Sequence, residues 1–251
     1  MDTFRLFHEE DGLTFRHETR VYFSQSSSNK VISMSELLRL TSDTAVEDYR
    51  AQGMSRDMLL EHGYAILVSR CSFRLHRLPR ENERVTVTTW EEKSEALQLC
   101  RAYDITNDSG ELLVTGSSTW LLVDPVGRRI IPTKNFTLRK PVTKQTERDC
   151  LKPGKILIPE GMELADERMI RYSDIDGNGH TNNSRYGAFI MDALPEADRR
   201  RQFKDFRLNY SKEAMLGQKL QVFLHNNAEA QLITVVGKTE SGTSFEAELY
   251  Y

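Results

Sequence analysis

Cysteine is scarce in this chain: three in 251 residues, at positions 71, 100 and 150. An odd number at scattered spacings gives neither a disulfide framework nor a Cys-based zinc cluster. A reducing, cytoplasmic setting is the default expectation. Long apolar runs are missing too. The longest are short pieces such as Ala65-Ile66-Leu67-Val68, far below the ~18 residues of a membrane span, so no membrane association is expected. Met1-Asp2-Thr3-Phe4-Arg5 lacks a basic segment leading into an apolar one, which predicts no secretory leader. Neither sign of charge dominates: 34 Lys and Arg against 37 Asp and Glu give a net -3, no ground for non-specific nucleic-acid binding. What is present is a soluble globular balance, 39% hydrophobic and 28% charged, in a chain long enough for one large domain or two small ones.

The pattern of elements occurs twice. Residues 17–24 are strand-like and lead through a Ser/Asn-rich passage into a helix near Ser33. Ser33 and Glu36 have capping-box spacing, and Leu37, Leu38, Leu40, Ala45 and Tyr49 recur at helical spacing up to Gly53. Strands are predicted over 64–75, 84–93, 97–106 and 112–123, the last two joined by the hairpin signal Asn107-Asp108-Ser109-Gly110. The second half repeats the order: a strand over 167–172, a helix over about 183–193, then strands over 203–210, 219–226, 229–238 and 243–250. Residues 133–164 mix Pro141, Pro153 and Pro159 with many charges and suggest a linker crossing the surface between a first domain, 1–132, and a second, 165–251. One long helix against a mostly antiparallel sheet, twice over, is an α+β architecture.

Chemistry concentrates in Tyr172-Ser173-Asp174-Ile175-Asp176-Gly177-Asn178-Gly179-His180-Thr181-Asn182-Asn183-Ser184-Arg185-Tyr186. The stretch joins a strand to a helix, where free N–H groups at the helix start can meet developing negative charge. Asp, Asn and Gly also suit a loop before a helix for capping alone. Calcium fits poorly: Asp174, Asp176, Asn178 and Gly179 match the first half of an EF-hand loop, but its twelfth position, which requires Glu, is Arg185. His180 has no second His nearby to share a transition metal. No metal or other cofactor is expected.

The same stretch resembles the signature of the acyl-acyl carrier protein (acyl-ACP) thioesterases, with further matches at Ser118-Thr119-Trp120-Leu121-Leu122-Val123-Asp124, Arg128-Arg129 and Tyr210-Ser211-Lys212-Glu213. The resemblance runs from about Thr3 to the end of the chain. It implies a tandem hotdog fold, each antiparallel sheet wrapped around a long central helix, and hydrolysis of fatty acyl-ACP in fatty acid biosynthesis.

Thioester hydrolysis needs a nucleophile, a group that manages its proton, and donors for the oxyanion. Asp176 and His180 are the titratable candidates, Asn178 can orient either one or a water, and N–H groups near Asn182 and Asn183 can polarise the carbonyl. By the resemblance, Asp176, Asn178 and His180 are active-site residues, joined by Glu213 on a following strand. Many plant relatives carry Glu-Cys there; this chain has Glu213-Ala214, so a cysteine nucleophile at that position is excluded. Two routes remain open: attack by Asp176 to form an anhydride, or a water deprotonated by His180 or Glu213. The second is favoured.

The passage matching the loop in the first half, residues 23–31, lacks Asp and His. The resemblance implies that this half holds the acyl chain, lined from Leu37, Leu38, Thr41 and Ala45 and from strands near Met58, Ile66, Trp90 and Trp120. Its implied partner, an acidic carrier protein, should dock on Lys/Arg, for which Arg128, Arg129, Arg199, Arg200 and Arg201 are candidates. A monomer or a homodimer fits. Rival readings are an acyl-CoA thioesterase, a hydratase on the same fold, and an acyl-binding module without catalysis.

Overall fold

The computed structural model describes residues 4–251. The first three positions, on which the leader reading and the start of the first domain rest, lie outside the described residues. The first half runs β1 (Leu6–His8), β2 (Thr14–Arg20), α1 (Met34–Ala51), α2 (Arg56–Glu61), β3 (Ala65–Leu75), β4 (Arg84–Glu92), β5 (Leu99–Asn107), β6 (Leu112–Asp124) and β7 (Arg129–Ile130). The second runs β8 (Glu163–Met169), α3 (Arg185–Ala193), α4 (Glu196–Arg199), β9 (Asp205–Tyr210), β10 (Lys219–Asn227), β11 (Leu232–Thr239) and β12 (Gly242–Tyr250). Beyond the sequence expectation there are the short strands β1 and β7 and the short helices α2 and α4. Among the described residues no helix is long and apolar enough to cross a membrane.

All strands belong to one antiparallel sheet, in the order β1-β2-β4-β5-β6-β3-β9-β12-β11-β10-β8, with β7 beside β6. The two halves meet at the β3–β9 seam, where Cys71 faces Leu208 and Phe73 faces Phe206. α1 and α3 lie together against this sheet. Gly187 of α3 makes that approach possible: a Cβ there would stand 2.8 Å from the Ser35 backbone nitrogen and 2.9 Å from the Met34 carbonyl carbon. α1 has eighteen residues and α3 only nine. α3 stops where Leu194 turns extended (ψ 143°), as a residue before proline prefers.

α1 starts as expected at Ser33, whose hydroxyl accepts from the Glu36 N–H at 3.3 Å. The reciprocal half of the capping box is absent. The Ser33 N–H donates instead to the Gln25 carbonyl (2.9 Å), and the Glu36 carboxylate is held by Arg39 and Gln25. Near its C-terminal end α1 carries Asp48, which has no exposed surface and accepts from Arg101 Nη1 (2.6 Å) and Gln52 Nε2 (2.7 Å), with His8 Nε2 at 2.7 Å. Removing one partner of so buried a pair strands the other charge, at a cost of roughly 3–5 kcal/mol.

From Lys144 onward the passage between the halves straps the outer face of the sheet. Lys144 Nζ and the Arg148 guanidinium sit 4.9 and 5.0 Å from the centre of the Trp90 ring, Arg148 also donates to the Tyr103 carbonyl (2.6 Å), and Asn209 Nδ2 donates to Gly154 O (3.0 Å). This corrects the expectation for Trp90. In β4 the helix-facing positions are Val85, Val87, Thr89 and Glu91, the last bonded to Tyr49 of α1. Trp90 therefore points to the opposite face, under the strap and away from α1.

Candidate active site

Asp176, Asn178 and His180 lie on one self-tied turn. It follows a single 3-10 turn at Tyr172–Asp174 and is closed by pairing of Ile175 with Thr181. The Asp176 N–H donates to the His180 carbonyl (2.9 Å) and the Gly179 N–H to the Asp176 carbonyl (3.0 Å). Gly179 has φ +83°, which glycine adopts without steric cost. One carboxylate oxygen of Asp176, Oδ1, accepts from the N–H groups of Asn178 (2.8 Å) and His180 (3.4 Å). That oxygen holds the turn.

A second segment is pinned beside it. Both the N–H and the hydroxyl of Thr181 donate to the Ala214 carbonyl, at 3.1 and 2.7 Å, and His180 pairs with Met215. Glu213 consequently lies with Oε2 3.3 Å from His180 Nε2, both side chains partly exposed. It sits in the connection after β9 rather than on a strand. Ala214 has no exposed surface, so the residue after Glu213 faces the core.

Two arginines of the first half reach this site. Arg56, opening α2 behind its N-cap Ser55, donates through Nε (3.2 Å) and Nη2 (2.8 Å) to Asn178 Oδ1. Arg128 stands with Nη2 3.6 Å from Glu213 Oε2. Its φ of +51° belongs to a turn in which Asp124 Oδ1 accepts from the Val126 and Gly127 N–H groups. Sequence reasoning missed Arg56, for which no local spacing gives a signal. Arg129 lies next to Arg128 in β7, exposed.

Arg199, Arg200 and Arg201 are elsewhere. They border a groove of about 620 Å³ together with Asn29, Ser33, Arg77 and Arg80, and no residue of 176–180 lines it. Arg200 and Arg201 pair with Glu196 and Asp198, and Arg199 donates to the Asp192 carbonyl.

Between α1 and the seam lies a small cavity of about 20 Å³, bordered by Leu38, Thr41, Tyr103, Trp120, Asn183 and Tyr210 among others. It has room for about one water. Thr41 and Trp120 both border it, Trp120 Nε1 donating to Ser118 Oγ (2.7 Å). Leu37 is fully buried but does not border the cavity; its position in α1 turns it into the core. Asn182 is corrected as a donor: its N–H is spent on the Asp174 carbonyl (2.8 Å), and its side chain accepts from Ser184. The Asn183 N–H has no protein acceptor among the described residues. Burial pushes the Cys71 thiol, also on this cavity, up to about 12, and raises Cys100 and Cys150 as well. Among the described residues no three His, Cys, Asp or Glu side chains gather as a metal site.

The first half carries a silent copy of the same turn. Ser26 pairs with Ile32 as Ile175 does with Thr181, and Val31 pairs with Arg80 as His180 does with Met215. Ser27 Oγ accepts from the Asn29 N–H (3.3 Å) in the manner of Asp176 and Asn178. Lys30, at φ +58°, takes the place of Gly179.

Two such halves, each a sheet against its helix with the turn kept intact in one, define the double hotdog fold. Residues 12–136 match the acyl-ACP thioesterase N-terminal domain and residues 161–249 the acyl-ACP thioesterase C-terminal domain. The chain belongs to the acyl-ACP thioesterase family. It is 23% identical over 221 residues to a chloroplastic acyl-acyl carrier protein hydrolase of Cuphea viscosissima, covering 81% of this chain and 53% of that one. With a chloroplastic palmitoyl-acyl carrier protein thioesterase of Arabidopsis thaliana it shares 24% identity, over 84% of this chain and 55% of that one. The chain thus spans about half the length of these plant relatives. In fold it is similar to an acyl-ACP thioesterase of Bacteroides thetaiotaomicron (TM-score 0.87, 21% identity, 97% and 99% of the two chains). It is similar also to a 12:0-ACP thioesterase of Umbellularia californica (TM-score 0.81, 17% identity, 97% and 98%).

Proposed function

We propose that this protein hydrolyses fatty acyl-ACP to free fatty acid and carrier protein. The observation that carries the reading is the His180–Glu213 contact at 3.3 Å, three residues along the chain from Asn183, which borders the cavity between α1 and the seam and whose N–H has no protein acceptor among the described residues. In the proposed reaction, a water held by His180 and Glu213 gives up a proton to that pair as its oxygen attacks the thioester carbonyl. The tetrahedral oxyanion is met by the Asn183 N–H. Collapse expels the carrier's thiolate, which takes the proton back. Proton management of this kind contributes typically 10²–10⁴-fold, and one oxyanion donor about 10²–10³-fold.

Asp176 is assigned an orienting role, because its Oδ1 accepts from the Asn178 and His180 N–H groups and so holds the turn that carries His180. The first half, 1–132, is assigned the acyl chain, entering past Asn183 along Thr41 and Trp120; the second, 165–251, the chemistry. A chain of many carbons needs the 20 Å³ cavity to open by movement of α1 against the sheet. Arg128, 3.6 Å from Glu213, and its chain neighbour Arg129 are the nearer candidates for meeting an acidic carrier, and Arg199, Arg200 and Arg201 a remoter set.

The test is release of free fatty acid from a ladder of acyl-ACPs with matched acyl-CoAs. Much faster turnover of the carrier-linked series supports the proposal. Equal or better rates on acyl-CoA move the protein to the acyl-CoA class. No hydrolysis of either refutes it.

A further inference from the structure

Arg56 has no place in the scheme above, yet it is the side chain that fixes Asn178. Its Nε and Nη2 converge on a single oxygen, Asn178 Oδ1, at 3.2 and 2.8 Å. Guanidinium groups only donate, so the amide edge facing Arg56 is its carbonyl. The planar amide then presents its other edge, the Nδ2 amino group, away from Arg56. Nδ2 has no protein acceptor among the described residues. Asn178 sits two residues before His180 on the turn, and its own N–H is tied to Asp176. Backbone and side chain are therefore both held, with two N–H donors left over.

We propose that Arg56 is a positioning residue for the reaction, acting through Asn178. By occupying Oδ1 it prevents the amide from flipping and makes Asn178 a hydrogen-bond donor to the thioester carbonyl oxygen, a second donor beside the Asn183 N–H. Without Arg56 the amide is free to turn its carbonyl toward the developing oxyanion, where it repels. The active half is thus incomplete alone: α2 of the first half supplies the group that sets the polarity of a side chain in the second. The inference rests on the thioesterase reading for its catalytic part, and on the Arg56–Asn178 geometry for its structural part.

Two measurements test it. The first is a double-mutant cycle of Arg56→Ala and Asn178→Ala on acyl-ACP hydrolysis, with Asn178→Asp alongside, which keeps an acceptor for Arg56 but has no amino group. Expected are losses in kcat of ~10–100-fold for Arg56→Ala, in the range of a misplaced group. KM should stay within about twofold, Asn178→Asp should fall as far as Asn178→Ala, and Arg56→Ala should cost nothing further in the Asn178→Ala background. Additive losses, a rise in KM alone, or an active Asn178→Asp variant would overturn the proposal. The second is the NMR order of the Asn178 side-chain amide pair, identified by its disappearance in Asn178→Ala. It should be rigid in the native protein and mobile in Arg56→Ala; equal mobility in both overturns the clamp. A native protein without activity on acyl-ACP refutes the thioesterase reading and the catalytic role of Arg56 together, while the amide measurement still decides the clamp.

Discussion

Thr181 grips the carbonyl of Ala214 twice, by its N–H at 3.1 Å and its hydroxyl at 2.7 Å, and this is what brings the neighbours of each, His180 and Glu213, to 3.3 Å. Thr181→Val keeps the shape and the N–H bond but leaves the buried carbonyl with one donor fewer. It should lower stability by about 0.5–1.5 kcal/mol, the net worth of one hydrogen bond, and turnover roughly tenfold, as expected of a loosened reacting geometry. Thr181→Ser should restore most of both. Thermal unfolding and kcat on acyl-ACP read the two effects.

His180→Ala and Glu213→Ala should each reduce kcat by at least ~100-fold, the low end for general acid–base groups, and the double variant should be little worse than either. A single variant at near-normal rate removes that residue from the mechanism. Asp176→Asn separates the two open routes, because an amide Oδ1 can still accept from the Asn178 and His180 N–H groups. About a tenfold loss fits an orienting role; a collapse comparable to His180→Ala assigns the chemistry to the carboxylate.

Thiol reagents should leave activity intact. Cys71 is buried with its thiol pushed up to about 12, and Cys100 and Cys150 are raised by burial too, so thiolate is scarce at neutral pH. Iodoacetamide treatment at pH 8 followed by assay checks this; proportional loss of activity with alkylation of Cys71 would contradict it.

Acid stability should depend on Glu83. The hydrogen bond from Arg77 holds its carboxyl at about 2, against an ordinary value of 4.5, in opposition to partial burial. A carboxyl lowered in the folded state stabilises it fully above the unfolded value. That stability is lost as pH falls from about 4.5 toward 2. Glu83→Gln should therefore lower Tm at pH 7 and flatten its decline across that window, measured as Tm against pH.

Gly187→Ala forces a methyl group against the α1 backbone at 2.8–2.9 Å, where no flexible side chain can yield. Overpacking of this kind costs about 1–3 kcal/mol, or very roughly 2–10 °C in Tm at this size, read by thermal denaturation.

Most strands and the start of α1 were legible because their signals are local: alternation, the Asn107 to Gly110 turn, a serine cap. The turn carrying Asp176 and His180 was legible by its composition. What was not legible depends on the β3–β9 seam. Arg56 and Arg128 meet Asn178 and Glu213 only after distant strands have paired, and nothing in their neighbourhood of sequence announces it. Trp90 is a different case. Its parity within β4, opposite to Val85 and Val87, pointed outward, and counting alternation would have separated it from Trp120. The N–H of Asn182 could not have been judged, since its acceptor is set by how the 3-10 turn at Asp174 folds back.

The paired turns, one carrying Asp176 and His180 and the other Ser27 and Val31, have a consequence for how such a protein can change. Two identical subunits must share every substitution, so a loop that drifts in one drifts in both. Joined in a single chain, the copies are independent. The first can lack acid and base while α2 and the β6–β7 turn still reach the second, and under the proposed division of labour selection on what is held is uncoupled from selection on what is cut.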